Sequence, residues 1–306
     1  MNETHLLPWA NLLATAFNRS PAEMQQLLTY LQPNENLVAW GAWDGKQLAA
    51  QYSCLRHRLL LPHQPNPAVV GMSINMAVHP DYRGSGLVKQ VSAPVYAALQ
   101  AEGGIAGVGF SNAAGVKVDR HSKGYGYRVL GQMQPTLAWI HHSPAEPCLD
   151  LTTTWPDKPF ATAPDSKHVC FNITPAWIYH RYACHPFRQY QFGVWETAVS
   201  VRGIVVFRPF RRGPIAGVSL LTVYGDDPVE LLTRFCATLY RSGVRFIHAL
   251  STPQSPLRTQ LQKTAVCLPL PTTRTPYFLT LKPLTDTLPA ALFDINNWDC
   301  SGGDIL

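Results

Sequence analysis

Four consecutive residues, Arg83-Gly84-Ser85-Gly86, have the types needed to grip an anionic oxygen. Glycines turn the chain where a side chain would block it. A helix that begins after such a turn presents backbone N–H groups with no partner inside the helix. The positive end of its macrodipole and the fixed charge of Arg83 both favour phosphate oxygens. The chemistry to expect is the holding of a pyrophosphate.

The flanking residues supply the elements that must position this turn. In 70–79, Val70, Met72, Ile74, Met76 and Val78 alternate with smaller or more polar residues, which is the two-residue period of a strand. Pro80 ends that ladder, and Leu87, Val88, Val91, Val95 and Leu99 recur at helical spacing. Two familiar pyrophosphate binders do not fit. The dinucleotide fingerprint needs a third glycine, where Lys89 stands, and a place at the first strand-to-helix turn. The triphosphate loop ends in Gly-Lys-Ser/Thr, and that tripeptide does not occur.

The remaining pattern, Val78-x-Pro80-x-Tyr82-Arg83-Gly84-x-Gly86, resembles the acyl-CoA loop of the GNAT acyltransferase superfamily, Arg/Gln-x-x-Gly-x-Gly/Ala. Arg83 and Gly86 match it, whereas Val88 stands where Gly or Ala is usual. The resemblance implies that Arg83, Gly84, Ser85, Gly86, Leu87 and Val88 cradle the phosphates of acetyl-CoA or another acyl-CoA. It implies too that the main chain of Met76, Ala77 and Val78 meets pantetheine. A second block, Ile105-Ala-Gly-Val-Gly-Phe-Ser-Asn112 and the residues to Gly131, resembles the superfamily's next strand and helix. Gly126-Tyr127-Arg128-Val129-Leu130-Gly131 supplies its Gly-Tyr/Phe-x-x-x-Gly ending. In that fold the two parallel strands splay, and an unpaired strand edge offers its N–H and C=O groups to the amide-rich arm.

The implied reaction is attack of an amine on the thioester, which requires alignment, proton removal, an oxyanion donor and an acid for the leaving thiolate. The backbone N–H near Val78 is the expected oxyanion donor, and Asn112 is carried over as a site residue beside the cofactor. The superfamily often places its acid Tyr at the position that here is Ser122, with Tyr125 and Tyr127 close by. Val78, Asn112, Ser122 and Tyr125 are therefore the catalytic candidates. The strand 70–79 has no carboxylate, so the base stays open among Asn75, His79, Asp119 and His121.

The rest of the chain reads as scaffold. Helices are expected at 5–18 and 21–31, the second after a Ser20 cap with Pro21 at its first position. Strands are expected at 37–43, 47–54 and 56–61, with a hairpin turn at Asp44-Gly45. A strand at 105–110, a helix at 113–122 and a closing strand at 132–140 follow. Pro94 should kink or break the loop helix. Prolines crowd 141–166, marking a linker. Beyond it, a hairpin at 193–199 and 203–207, a core strand at 215–224, a helix at 228–240 and strands at 245–250 and 276–281 repeat the order. The fold class expected is α/β (α+β), with two GNAT-like domains, each a mixed, mostly antiparallel sheet flanked by helices. The expected division is 1–145 as the acyl-CoA-binding domain, 146–166 as linker and 167–306 as a second domain. That second domain has Gly225-Asp226-Asp227-Pro228 at its equivalent turn, where two carboxylates would repel pyrophosphate.

Composition bounds the partners. The 306 residues are 46% hydrophobic and 14% charged, which excludes a disordered chain. No apolar run approaches a membrane span, and Met1 to Phe17 does not read as a secretory leader. Seven scattered cysteines without a C-x-x-C pair read as reduced cytoplasmic thiols, and no metal site is expected from His180, Cys184 and His185. Residues 1–150 carry 10 Lys and Arg against 9 acids, and 151–306 carry 15 against 10. That excess, densest at Arg208 to Arg212, reads as a solvated surface, and nucleic acid is not the expected partner. The expected partner is a small-molecule or sugar amine, with a homodimer left open. The alternative is a catalytically silent CoA-binding or interaction module.

Overall fold

A computed structural model describes residues 3–31, 36–121, 124, 126–141, 146, 149–161, 167–270 and 276–305. The chain forms two compact units. The first unit comprises Met1–Leu60, Gln64–Gly131 and Tyr277–Phe293; the second comprises Leu61–His63, Gln132–Pro276 and Asp294–Leu306. No helix among the described residues is long and apolar enough to cross a membrane.

The first unit opens with α1 (Glu3–Phe17) and α2 (Pro21–Leu31). Ser20 and Glu23 cap α2 reciprocally, each side chain accepting the other's backbone N–H at 3.1 Å. β1 (Leu37–Asp44) and β2 (Gln47–Leu60) form a hairpin whose turn residues are Gly45 and Lys46, since Asp44 itself pairs with Gln47. β2 runs unbroken where two strands were expected, because β3 (Ala68–Val78) pairs along it as far as Leu59. α3 (Leu87–Ala101), β4 (Ala106–Asn112), α4 (Ala113–Arg120) and β5 (Arg128–Gln132) follow. α3 also runs through Pro94 without a break. Its buried Val91, Val95, Tyr96 and Leu99 anchor both sides of the proline.

The second unit contains β6 (Gln134–Trp139), β7 (Asp150–Thr152), β8 (Cys170–Phe171), α5 (Pro175–Ile178), β9 (Gln191–Glu196), β10 (Val201–Arg212) and β11 (Ile215–Gly225). α6 (Pro228–Arg241), β12 (Phe246–Ser251), α7 (Pro256–Thr264) and β13 (Val266–Pro269) complete it, before β14 (Tyr277–Pro283).

The strand order is β1-β2-β3-β4-β14-β5 in the first sheet and β13-β6-β12-β11-β10-β9-β7 in the second. Each sheet has a parallel neighbour pair among the described residues, β3 with β4 and β11 with β12. Two strands sit on the far side of the division expected at residue 145. β6, expected to close the first sheet, pairs with β12 and β13 in the second. β14, expected in the second, pairs with β4 over seven residues of the first. Hydrophobic alternation identifies a strand but not its neighbour, so the exchange left no mark in the pattern.

In the first unit, Trp9, Leu13 and Leu28 of α1 and α2 pack with Leu48 and Ala77 on one face of the sheet. On the other, Val91, Val95 and Leu99 of α3 pack with Ala50, Tyr52 and Cys54. A buried side chain of this size contributes about 1.5–3 kcal/mol, so both helical layers hold the sheet firmly.

Candidate functional site

The parallel strands β3 and β4 pair only at Val70–Ala106, Gly71–Gly107 and Met72–Val108. Beyond Met72 they part. β4 stays paired with β14 to Asn112, whereas β3 follows β2 to Val78. The register of β3 against β2 slips where Ile74 faces Ser53 and Ala77 faces Gln51, so two residues oppose one. Asn75 lies in that bulge with φ +47, a left-handed conformation that asparagine tolerates. A bulge bends its strand and raises the local twist, which turns 75–78 away from β4.

The main chain at the strand end has a defined sense. The His79 N–H donates to the Ala49 carbonyl of β2 at 2.8 Å. Backbone groups alternate sides along a strand, so the N–H and C=O of Ala77 also face β2. Those of Met76 and Val78 point the other way, into the open edge. Of the three residues expected to meet pantetheine through the main chain, Met76 and Val78 present their N–H and C=O groups to the open edge, and Ala77 presents its own to β2. The Ala77 side chain is buried against Trp9 and Leu48.

The segment from His79 to Val88 is tied down at its start and open at its end. Pro80–Tyr82 form one 3-10 turn, and the Tyr82 hydroxyl donates to Asp44 Oδ2 at 2.6 Å. The Ser85 hydroxyl donates to the Tyr82 carbonyl at 2.5 Å, which fixes the bend. Gly84 and Gly86 both have φ +81, and a Cβ at either would meet no atom within 4 Å. The backbone there needs glycine for its conformation, and the space beside it is free. Gly86 is the N-cap of α3 and provides no side-chain cap to the first-turn amides. Arg83 is exposed next to them. The apolar side chains of Met76, Val78, Leu87 and Val88 rest on the cluster beneath α3.

That cluster contains three tyrosines that no local pattern groups, Tyr52, Tyr96 and Tyr127. The Tyr96 hydroxyl donates to Tyr52 at 2.6 Å, and the Tyr52 and Tyr127 hydroxyls are 3.2 Å apart. Burial pushes all three phenols above their usual range. They hold their protons and serve as donors. A Cβ on Gly107 would stand 2.6 Å from the Tyr127 oxygen, so the glycine lets the ring lie on β4.

At the far end of β4, Asn112 caps α4, its Oδ1 accepting the Gly115 N–H at 2.9 Å. Two turns on from that cap, buried Asp119 accepts from the Ser111 hydroxyl at 2.7 Å. Desolvation raises its carboxyl to about 6, against the opposing pull of the Ser111 hydrogen bond. Of the other polar candidates, Asn75 forms the bulge, and His79 Nδ1 lies 3.6 Å from the Asp81 carboxylate. His121 ends α4. Ser122 and Tyr125 lie outside the described residues. Among the described residues no cluster of three or more His, Cys, Asp or Glu side chains is arranged to hold a metal.

Residues 1–127 match the sequence model of the acetyltransferase (GNAT) domain. The N-terminal segment is a GNAT domain. No curated protein sequence matches the chain. Solved structures extend the likeness in fold to nearly the whole length. A protein of unknown function from Enterococcus faecalis, titled a probable N-acyltransferase, superposes with a TM-score of 0.67 at 13% identity, covering 93% of this chain and 71% of its own. A GCN5-related N-acetyltransferase from Anabaena variabilis gives 0.66 at 12%, again covering 93% and 71%. The Saccharomyces cerevisiae N-myristoyltransferase with bound myristoylCoA gives 0.53 at 10%, covering 92% and 80%.

The GNAT domain thus contains a strand pair that parts after Met72 and a glycine turn with uncapped amides beside it. The equivalent turn of the second unit differs. Asp227 caps α6 by accepting the Glu230 N–H at 3.0 Å, and Asp226 pairs with Arg202 at 2.9 Å.

Proposed function

We propose that the chain is an acyl-CoA-dependent N-acyltransferase that passes an acyl group, acetyl in the simplest case, directly to a small-molecule or sugar amine. The observation that carries this reading is the open wedge between β3 and β4, which leads to the uncapped amides and positive-φ glycines after Arg83. Arg83 and the amides of Gly84 to Val88 hold the pyrophosphate. Met76 and Val78 offer N–H and C=O groups to the pantetheine amides. The tandem arrangement belongs to the same reading, with the acyl-CoA site in the first unit alone. So does a cytoplasmic location, to which the free thiols of Cys54, Cys236 and Cys300 are suited.

In this reading the Val78 N–H meets the developing oxyanion as the amine attacks the thioester carbonyl. Asn112 shapes the β4 side of the wedge through the cap it makes. Asp119 is added as a proton-handling group, because a carboxyl raised to about 6 exchanges its proton closer to neutral pH than an ordinary carboxylate does. Ser122 and Tyr125 remain candidates for the acid that protonates the thiolate. Isothermal titration with acetyl-CoA and with free CoA tests the site, and thiol release over a panel of amines tests the reaction. Saturable binding with turnover on at least one amine is expected. Binding without turnover on any amine would favour the silent CoA-binding module, and no binding would remove both.

A further inference from the structure

The first unit contains a cavity of about 340 Å³ whose walls include His5, Trp9, Trp40, Trp43, Leu48 and Gln51. Its position and its chemistry point to one use. Gln51 is 2% exposed, and neither its amide oxygen nor its amide nitrogen has a hydrogen-bond partner. The Trp9 indole N–H is likewise buried and unpartnered. Burying a donor–acceptor pair without partners is unfavourable, and native proteins rarely retain one without a use for it. The walls are indole and imidazole, with the His5 and Trp43 rings 5.5 Å apart. None of the described lining residues is acidic. A polycationic sugar or a polyamine would find no carboxylate there. A flat ring would find aromatic faces, and an amide edge would find Gln51.

Gln51 pairs directly with Ala77, one residue before Val78. Paired residues hold their Cβ atoms about 4.5–5.5 Å apart on one face, so the cavity floor adjoins the strand end. We infer that this cavity is the acceptor pocket and takes a primary alkylamine that carries an aromatic ring and a neutral amide. The ring stacks on the tryptophans, and a turn of the Gln51 side chain brings its enclosed amide to the ligand's amide, to which it donates and from which it accepts. This inference rests on the proposed acyl transfer for its word acceptor, but the binding itself does not depend on acyl-CoA.

The test uses L-phenylalaninamide as probe, titrated calorimetrically into the full chain with and without CoA. Saturable binding is expected in both titrations, tighter than that of glucosamine or cadaverine. Gln51→Leu should weaken phenylalaninamide at least tenfold yet leave 2-phenylethylamine, which lacks the amide, within twofold. The variant's melting temperature should stay level or rise, because an unpaired buried amide is removed. Equal affinity of wild type and Q51L for phenylalaninamide would overturn the inference, as would preferred binding of glucosamine or cadaverine. If CoA binds and phenylalaninamide does not, the pocket fails while the acyltransferase reading stands. If phenylalaninamide binds and CoA does not, the failure is reversed.

Discussion

The two units solve the same geometric problem in opposite ways. Each has a parallel strand pair that separates after three paired residues, followed on one strand by a turn into a helix. In the first unit the opening beyond Met72 meets no strand on its β3 side among the described residues. In the second, β11 and β12 part after Leu220 and Ala249, and the chain's own residues 300–305 enter the gap. The Ser301 hydroxyl and the Gly303 N–H donate to the Leu221 carbonyl at 2.6 and 3.1 Å. Thr252 N–H donates to the Cys300 carbonyl at 3.0 Å on the β12 side. Edge groups beyond the second unit's parallel pair are thus satisfied by the chain itself. The turns follow suit, one with uncapped amides and an arginine, the other capped and acidic. One opening meets no strand among the described residues, and the other is already filled.

The largest expected effect breaks the open site. Gly86→Asp forces a side chain into φ +81 and sets a carboxylate among the amides, and Arg83→Glu reverses the adjacent charge. Either change should weaken CoA by more than about 100-fold, since charge-assisted contacts to phosphate are lost and repulsion replaces them. Calorimetry reads the loss, and an unchanged far-ultraviolet spectrum shows that the fold persists. CoA affinity within threefold of wild type in both variants would place the pyrophosphate elsewhere.

The next test is aimed at the filled site. A Cβ at Gly303 would collide with the Thr222 and Tyr182 hydroxyls and come within 2.6 Å of the Leu221 carbonyl. Tyr182 and Thr222 share a buried hydrogen bond of 2.6 Å that the intruder would disturb. Gly303→Ala should cost about 3 kcal/mol, seen as a fall in melting temperature of about 6 °C. Gly84→Ala, where the space is open, should cost only the left-handed strain of about 1 kcal/mol. Equal losses at the two positions would erase the contrast between the openings.

How much of this the sequence disclosed follows from the range of each signal. The turn after Tyr82, its flanking strand and helix, and the acidic turn at 225–228 all lie within short windows, and each stands where its residues placed it. Composition likewise distinguishes the two turns, since Asp226 and Asp227 put negative charge where the first turn has Arg83. Long-range facts were hidden. Nothing local says that 134–139 leaves the first sheet, that 277–283 joins it, or that residues 300–305 fill a gap beside Leu221. Tyr52, Tyr96 and Tyr127 meet across 75 residues of chain. Asn75 was the one overlooked local sign, because an asparagine in the middle of an apolar strand is a natural place for a bulge.

A third prediction uses the filling segment's own acid. Asp304 is buried, accepts from the Ser301 N–H at 2.6 Å, and is raised to about 7, mainly by desolvation. Asp299 adds to that rise, while Arg181 and the Ser301 hydrogen bonds oppose it. The folded state therefore keeps a proton that the unfolded chain releases near pH 4. Stability is full below about pH 4, falls as pH rises through 4–7, and is level above. Asp119 and Asp299, also raised, slope the same way, so the informative quantity is the difference between wild type and Asp304→Asn. That variant should lose part of the slope and gain on the order of 2 kcal/mol at pH 8 relative to wild type. Melting curves from pH 4 to 8 that run parallel for the two proteins would mean that Asp304 is ionised and solvated in the fold.

The smallest effect probes the acidic turn directly. Asp227 satisfies one first-turn amide of α6 and lies at the positive end of its dipole, with Pro228 following at the first helical position. Asp227→Ala removes that cap and should lower stability by about 1 kcal/mol, near 3 °C in melting temperature. It should not create a second CoA site. Asp226 still faces the turn, held by an Arg202 that also stacks on Trp195 at 4.1 Å. Gly225 is packed against the Arg202 carbonyl, 2.6 Å from where its Cβ would be, so the backbone has no room to open toward a ligand. Calorimetry with Asp227→Ala should give the same CoA stoichiometry as wild type, one per chain. A second binding event would show that charge alone, rather than a filled wedge, closes the second unit to the nucleotide.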